Sequence, residues 1–181
     1  LRELGQEFKL INKDSLEDFK SVNPVGVVPV LVDGEQKLTE GAAILLHLLE
    51  KHSNTLLPAS GPAKQAGIED IMFANATMHP AYGRLFFLSQ TMADCDVKNN
   101  ALNSAATAIN QLWEVVEQQL ADKPFLGGDS YSAADILLTV YHSWGQYFPV
   151  DIIVGDKTAK MLETVSNLEN FKLAQQAEQE A

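Results

Sequence analysis

The pattern of hydrophobic and polar positions changes period several times within the first fifty residues. Phe8-Lys9-Leu10-Ile11 predicts a short strand. Leu16, Phe19 and Val22 recur at i, i+3 and i+6 and predict a short helix over 14–22, capped by Asp14 or Ser15. Asn23-Pro24-Val25-Gly26 is turn chemistry, because proline fixes φ and glycine tolerates φ > 0. A β-branched run over 27–32 is interrupted by Pro29. The Asp33-Gly34 pair and a second short run over 36–39 then complete a hairpin pattern. Residues 41–52 carry apolar side chains at helical spacing. Leu1-Arg2-Glu3-Leu4-Gly5 reads as the last turn of a helix stopped by Gly5, so the sequence is expected to begin inside an element.

Beyond Pro58 the strand patterns cease. Ser60-Gly61-Pro62 marks a linker, and a long helix is predicted over 63–92 with Pro80 as an internal kink. Further helices are predicted over 100–120, with Ala105, Ile109, Leu112, Val116 and Leu120 on one stripe, and over 132–147 and 157–165. From Leu173 the chain is polar and alanine-rich. The predicted organisation is a small α/β domain over 1–53, a linker over 54–62 and an all-helical domain over 63–181.

Composition narrows the function classes. With 46% hydrophobic and 20% charged residues among 181, the chain has the profile of a folded globular protein. Thirteen Lys and Arg stand against 24 Asp and Glu, a formal charge of -11. That balance argues against nucleic acid or an anionic membrane as partner, since both demand a basic surface. The longest apolar run, 42–46 with Leu48 and Leu49 beyond His47, is far short of the ~20 residues of a membrane span. One cysteine, Cys95, cannot form an internal disulfide, which suits a reducing, cytoplasmic setting. No Cys/His cluster has zinc-ligand spacing, and no metal is expected.

Two places carry candidate chemistry. Pro29 removes a ladder donor from its strand. It is either an ordinary trans proline at a sheet edge or a cis proline that leaves the backbone of Val28 open to an extended peptide. Glu40-Gly41 lies where a strand gives way to a helix. Free N–H groups there attract a carboxylate, Gly41 permits close approach, and Glu40 can hold an ammonium beside it. The alternative is a solvated glutamate that favours the helix dipole. Ser132-Ala133-Ala134-Asp135 forms a capping-box pattern, with Tyr131 and Ile136 placed as a hydrophobic staple, and is read as a folding signal. Cys95 sits between Asp94 and Asp96, whose charges disfavour a thiolate, and receives no chemical role.

These segments together resemble the cytosolic glutathione S-transferase superfamily. Asn23-Pro24-Val25-Gly26-Val27-Val28-Pro29-Val30-Leu31 is similar to its N-P-x-G-x-V-P-x-L segment. Leu38-Thr39-Glu40-Gly41-Ala42-Ala43-Ile44 resembles the L-T-E-G-x-A-I form of bacterial beta-class members, and 128–135 resembles the capping segment of the sixth helix. The three motifs occur in the family's order and cover most of the chain.

The resemblance implies a thioredoxin-like N-terminal domain, with its first strand and the following loop absent from this sequence, followed by an all-α helical bundle. It also implies a homodimer, glutathione as co-substrate and a small hydrophobic electrophile as its target. Val28, before the cis Pro29, would pair with the cysteinyl part of glutathione, and Glu40 and Gly41 would hold its γ-glutamyl end. Lys13 is the nearest match to a lysine that contacts the glycyl carboxylate. His79 corresponds to a histidine directed toward the active site, and Pro80 stands where a basic residue is common. Arg84, among Tyr82, Phe86 and Phe87, belongs either to an electrophile-side wall or to a core stripe. The catalytic Cys, Ser or Tyr of the family ends its first strand, so it is expected upstream of Leu1. Two other readings stay open: glutathione-dependent thiol–disulfide exchange, and a non-catalytic interaction module that has lost the ligand chemistry.

Overall fold

The computed structural model describes residues 1–180, which fall into two compact units. The first comprises Leu1–Thr55 together with the residues from Leu168 on, and the second Leu56–Asn167.

In the first unit, an antiparallel hairpin of β1 (Val30–Asp33) and β2 (Gln36–Thr39) is joined through Gly34 and Glu35. Gly34 has φ 63°, the positive value that a two-residue hairpin turn requires. β1 begins only after Pro29, which has no N–H to give to a ladder. Helix α1 (Gly41–Lys51) follows at once and buries Ala42, Ile44, Leu48 and Leu49. Asp33, at the end of β1, ties the hairpin to α1. Its Oδ2 meets His47 Nε2 at 3.0 Å and accepts from Lys51 Nζ, two side chains one helical turn apart. These hydrogen bonds, His47 first and Lys51 second, hold the Asp33 carboxyl below its usual pKa.

Two local expectations change here. Phe8–Ile11 has no regular secondary structure and joins no ladder among the described residues, so its alternation produces no strand. The segment 14–22 is not one helix but two 3-10 turns, Lys13–Ser15 and Phe19–Ser21. Asn12 and Asp18 cap them by accepting from the backbone N–H groups of Asp14 and Ser21. Each aspartate or asparagine side chain offers the backbone a local partner that competes with a continuous helix. The polar end of the chain forms α7 (Glu169–Glu180), whose Phe171 is buried.

The second unit is helical. α2 (Gly61–Met72), a π turn over Phe73–Met78 and α3 (His79–Thr91) make one long run. The irregularity lies just before Pro80, whose ring would otherwise meet the carbonyl of Ala76 and which cannot donate to it. α4 (Asp96–Gln119) packs against α3, and α5 (Ala133–Ser143) packs against α2 and α6 (Asp156–Ser166). The core contains Ile71, Met78, Tyr82, Leu85, Ile109, Trp113, Leu138 and Met161. On α4 the buried stripe runs through Leu102, Ala106, Ile109, Trp113 and Val116, with Ala106 and Trp113 taking the places predicted for Ala105 and Leu112. Burial of Trp113 is made acceptable by its indole N–H, which donates to the Tyr82 hydroxyl at 3.0 Å.

The loop into α5 converges on Asp135, itself fully buried. Asp135 accepts from Leu126 N at 2.9 Å, Ser132 N at 2.8 Å and Ser132 Oγ at 2.7 Å, while Ser132 Oγ caps the Asp135 N–H. Ala133 N also donates to Leu56 O, fastening the start of this unit to α5. Among the described residues no helix is long and apolar enough to cross a membrane.

Candidate functional site

The approach to the first candidate position is built by Asn23. Its carbonyl accepts from Gly26 N at 2.8 Å, closing a turn with Pro24 at the second position, and Gly26 takes φ 77°. The buried Asn23 side chain accepts from Val25 N at 3.2 Å and donates to Val27 O at 2.7 Å. The chain therefore leaves the turn with Val27 held on one side. Val28 is next, 59% exposed, and the Val28–Pro29 peptide bond is cis. Neither the N–H nor the C=O of Val28 has a protein hydrogen-bond partner among the described residues.

The hairpin register fixes what lies beside it. Val30 pairs with Thr39 and Leu31 with Leu38. The ladder ends at the Val30–Thr39 pair, so Val28 and Gly41 each lie two residues beyond it, at the same end of the hairpin.

Glu40 has φ 68° and ψ 113°, the only positive φ at a residue other than glycine among the described residues. For an L side chain that conformation costs on the order of 1–3 kcal/mol, and such outliers concentrate at functional sites. The Glu40 carbonyl accepts from Ile44 N at 3.0 Å, while no side chain caps the N–H groups of Gly41, Ala42 and Ala43. The carboxylate of Glu40 is itself exposed and unpaired among the described residues. A negative group beside a row of free N–H donors can hold an ammonium and a carboxylate side by side, the two charges of an α-amino acid.

The other sequence-derived candidates are placed differently. Lys13 is exposed on its 3-10 turn and pairs with Asp14 at 3.2 Å. In the second unit His79 opens α3, its ring 5.2 Å from Tyr141 and 5.3 Å from Trp144. Burial of that face lowers the His79 pKa, so the imidazole is neutral at pH 7. Arg84 follows five residues later, about 140° around the helix, exposed and unpaired among the described residues. His79 and Arg84 therefore do not converge.

Sequence reasoning missed the centre of this second cluster. Trp144 stands 4.8 Å from Tyr141, 5.7 Å from Phe86 and 6.3 Å from Tyr82, and Phe86 meets Phe148 edge-on at 4.8 Å. Tyr82 belongs to the core and Phe87 is exposed, which divides the three residues that sequence had grouped with Arg84. The Tyr141 ring is buried, yet its hydroxyl has no partner among the described residues and reaches the surface. Burial raises its pKa to about 12, so it is a neutral donor. Tyr141 and Trp144 at i, i+3 were the available signal, and nothing in their spacing linked them to His79. Among the described residues no group of three or more His, Cys, Asp or Glu is gathered as for a metal ion.

Residues 1–56 match the family described as glutathione S-transferase, N-terminal domain. The chain is 31% identical over 137 residues to glutathione S-transferase GST-4.5 of Xanthomonas campestris pv. campestris, covering 75% of this chain and 67% of that protein. The match thus spans about two thirds of that relative's length. Among solved structures it resembles a ternary complex of BphK, a bacterial GST, with a TM-score of 0.83 at 29% identity, covering 98% of this chain and 90% of the other. It also resembles a sphingomonad glutathione S-transferase complexed with glutathione, with a TM-score of 0.83 at 27% identity, covering 99% and 91%. By sequence identity, by fold and by the order of its motifs, this chain belongs to the glutathione S-transferase family.

Proposed function

We propose that the protein is a glutathione S-transferase in which Val28, Pro29, Glu40 and Gly41 bind glutathione. The observation that carries this reading is the open backbone of Val28 before the cis Pro29, at the same end of the hairpin as the uncapped start of α1. The cysteinyl residue of the tripeptide adds to Val28 as a short strand, exchanging backbone hydrogen bonds. Its γ-glutamyl carboxylate meets the N–H groups at Gly41, and its ammonium meets Glu40. Both ends are charge-assisted contacts, worth about 1.5–3 kcal/mol each.

Holding the tripeptide this way fixes its sulfur between two anchored ends. An unbound thiol of pKa near ~8.5 is only a few per cent thiolate at neutral pH, and the thiolate is the nucleophile. In the proposed reaction the sulfur lone pair forms a bond to an electrophilic carbon, and the leaving group departs with the bonding electrons. In this reading the carbon belongs to a small hydrophobic electrophile. Within this reading the protein works in the cytoplasm as a homodimer, with glutathione domain, linker and helical domain at 1–53, 54–62 and 63–181.

The test is steady-state kinetics with glutathione and an activated aryl halide. Glu40→Ala is expected to raise the glutathione KM about tenfold or more and leave the aryl halide KM within about twofold. An unchanged glutathione KM overturns the placement of Glu40.

A further inference from the structure

Glu40 is the joint between two arms that lie side by side, the hairpin and α1. From Thr39 to Gln36, the residue paired with Asp33, the hairpin arm measures about 10 Å at ~3.4 Å per residue. From Gly41 to His47 the helical arm measures about 9 Å at ~1.5 Å per residue. Arms of nearly equal length bring their far ends together, and there Asp33 Oδ2 meets His47 Nε2 at 3.0 Å. Lys51, one turn further along α1, donates to the same carboxylate oxygen.

The buried face of α1, Ala42, Ile44, Leu48 and Leu49, also holds the helix on the strands. Apolar burial is non-directional, however, and sets the angle of the helix only loosely. The bonds to Asp33 are directional and weaken steeply once misaligned. They lie at the far end of the arm, where a small swing about Glu40 produces the largest displacement. They therefore oppose relaxation of the strained Glu40 backbone, whose φ is 68°. The angle they fix also decides where the N–H groups of Gly41, Ala42 and Ala43 point. His47 and Lys51 themselves stand about 9 and 15 Å along the axis from Gly41, out of reach of a carboxylate held at the helix start.

We propose that Asp33 is a positioning residue for glutathione: through His47 and Lys51 it pins α1 to the hairpin, so that Glu40 and the start of α1 keep their aim. The inference rests on the reading of Glu40 and Gly41 above and adds residues that do not touch the ligand.

The test is a double-mutant cycle on the full chain, read as the glutathione Kd by calorimetry and as KM and kcat with glutathione and the aryl halide. Asp33→Ala removes the pin from the hairpin side. His47→Leu combined with Lys51→Met removes it from the helix side and keeps good helix formers. Each is expected to raise the glutathione Kd and KM about five- to tenfold and to leave kcat at saturating glutathione within about twofold. Combining all three is expected to add less than about twofold to either alone, since the pin is lost only once. Lys51→Arg with His47 intact is expected to stay within about twofold of wild type. Losses that multiply, a kcat that falls along with the affinity, or Kd values like wild type overturn the proposal. Should Asp33→Ala fail to fold, the helix-side pair decides against Lys51→Arg: affinity lost in the first and kept in the second supports the pin, and equal affinity in the two overturns it. Pin variants that bind like wild type while Glu40→Ala binds weakly refute the pin alone. Glu40→Ala that binds like wild type refutes the parent reading and the pin with it.

Discussion

In residues 56–167 the strongest hydrogen-bonding groups are turned on one another. Asp135 gathers the donors of Leu126 and Ser132, and the Trp113 indole is matched to Tyr82. Residues 1–55 do the opposite. The peptide groups of Val28, the first N–H groups of α1 and the Glu40 carboxylate face outward without partners among the described residues, and eight large apolar side chains between Phe8 and Val32 are 38% exposed or more. Buried polar groups in folded proteins are almost always paired. The open polar groups gathered at one end of the hairpin, with a strained residue among them, are where the ligand is proposed to bind.

The contrast is broken most forcefully at Asp135. Asp135→Ala removes the acceptor of three buried donors and is expected to cost at least about 3 kcal/mol, read as a lower urea midpoint. A loss below about 1 kcal/mol would show that this hub is not what holds the helical unit. Tyr82→Phe is a smaller cut in the same unit. It strands the Trp113 N–H in the core, for an expected loss of about 1–3 kcal/mol by the same measurement.

Glu40→Gly probes the other unit and should act in two directions at once. Glycine adopts φ 68° without penalty, so thermal stability in the absence of ligand is expected to rise by about 1 kcal/mol. Glutathione affinity is expected to fall about tenfold or more with loss of the carboxylate. A variant that loses both stability and affinity would mean that the Glu40 conformation is unstrained.

The smallest effect concerns pH. Burial raises the Asp70 pKa above its ordinary value, with Lys123 opposing and Asp135 adding to the shift. The folded protein thus holds this proton more tightly than the unfolded chain does. The ionised carboxylate costs stability above the unfolded pKa of about 3.9, and the cost vanishes as pH falls below it. Asp70→Asn is expected to stabilise the protein at pH 7, with the gain fading as the pH is lowered toward 4. A gain that is the same at pH 4 and pH 7 would contradict the titration.

What the sequence made legible was local. Hairpin, turn and capping box each depend on residues within a few positions of one another: Asp33-Gly34, Asn23 to Gly26, Ser132 to Asp135. That Val28 and Gly41 lie at the same end of the hairpin follows from the hairpin alone. Illegible features were those decided by distant partners or by side-chain competition. Phe8–Ile11 alternates like a strand but found no ladder, and 14–22 has helical spacing but gave way to the caps at Asn12 and Asp18. Trp113 displaced Leu112 from the buried stripe because Tyr82, 31 positions away, accepts its N–H. The aromatic cluster joins His79 to Tyr141 and Trp144 across more than sixty residues. The positive φ of Glu40 had no sign in its residue type, since glutamate is not a residue that favours it.

Amide hydrogen exchange with and without saturating glutathione addresses the ligand reading at its root, because it reports on the backbone groups themselves. The expected result is slowed exchange at the N–H groups of Val28 and Gly41 on adding glutathione, with the already protected core amides of Ile109, Trp113 and Leu138 unchanged. Exchange at Val28 and Gly41 that stays as fast with glutathione as without it would contradict the account.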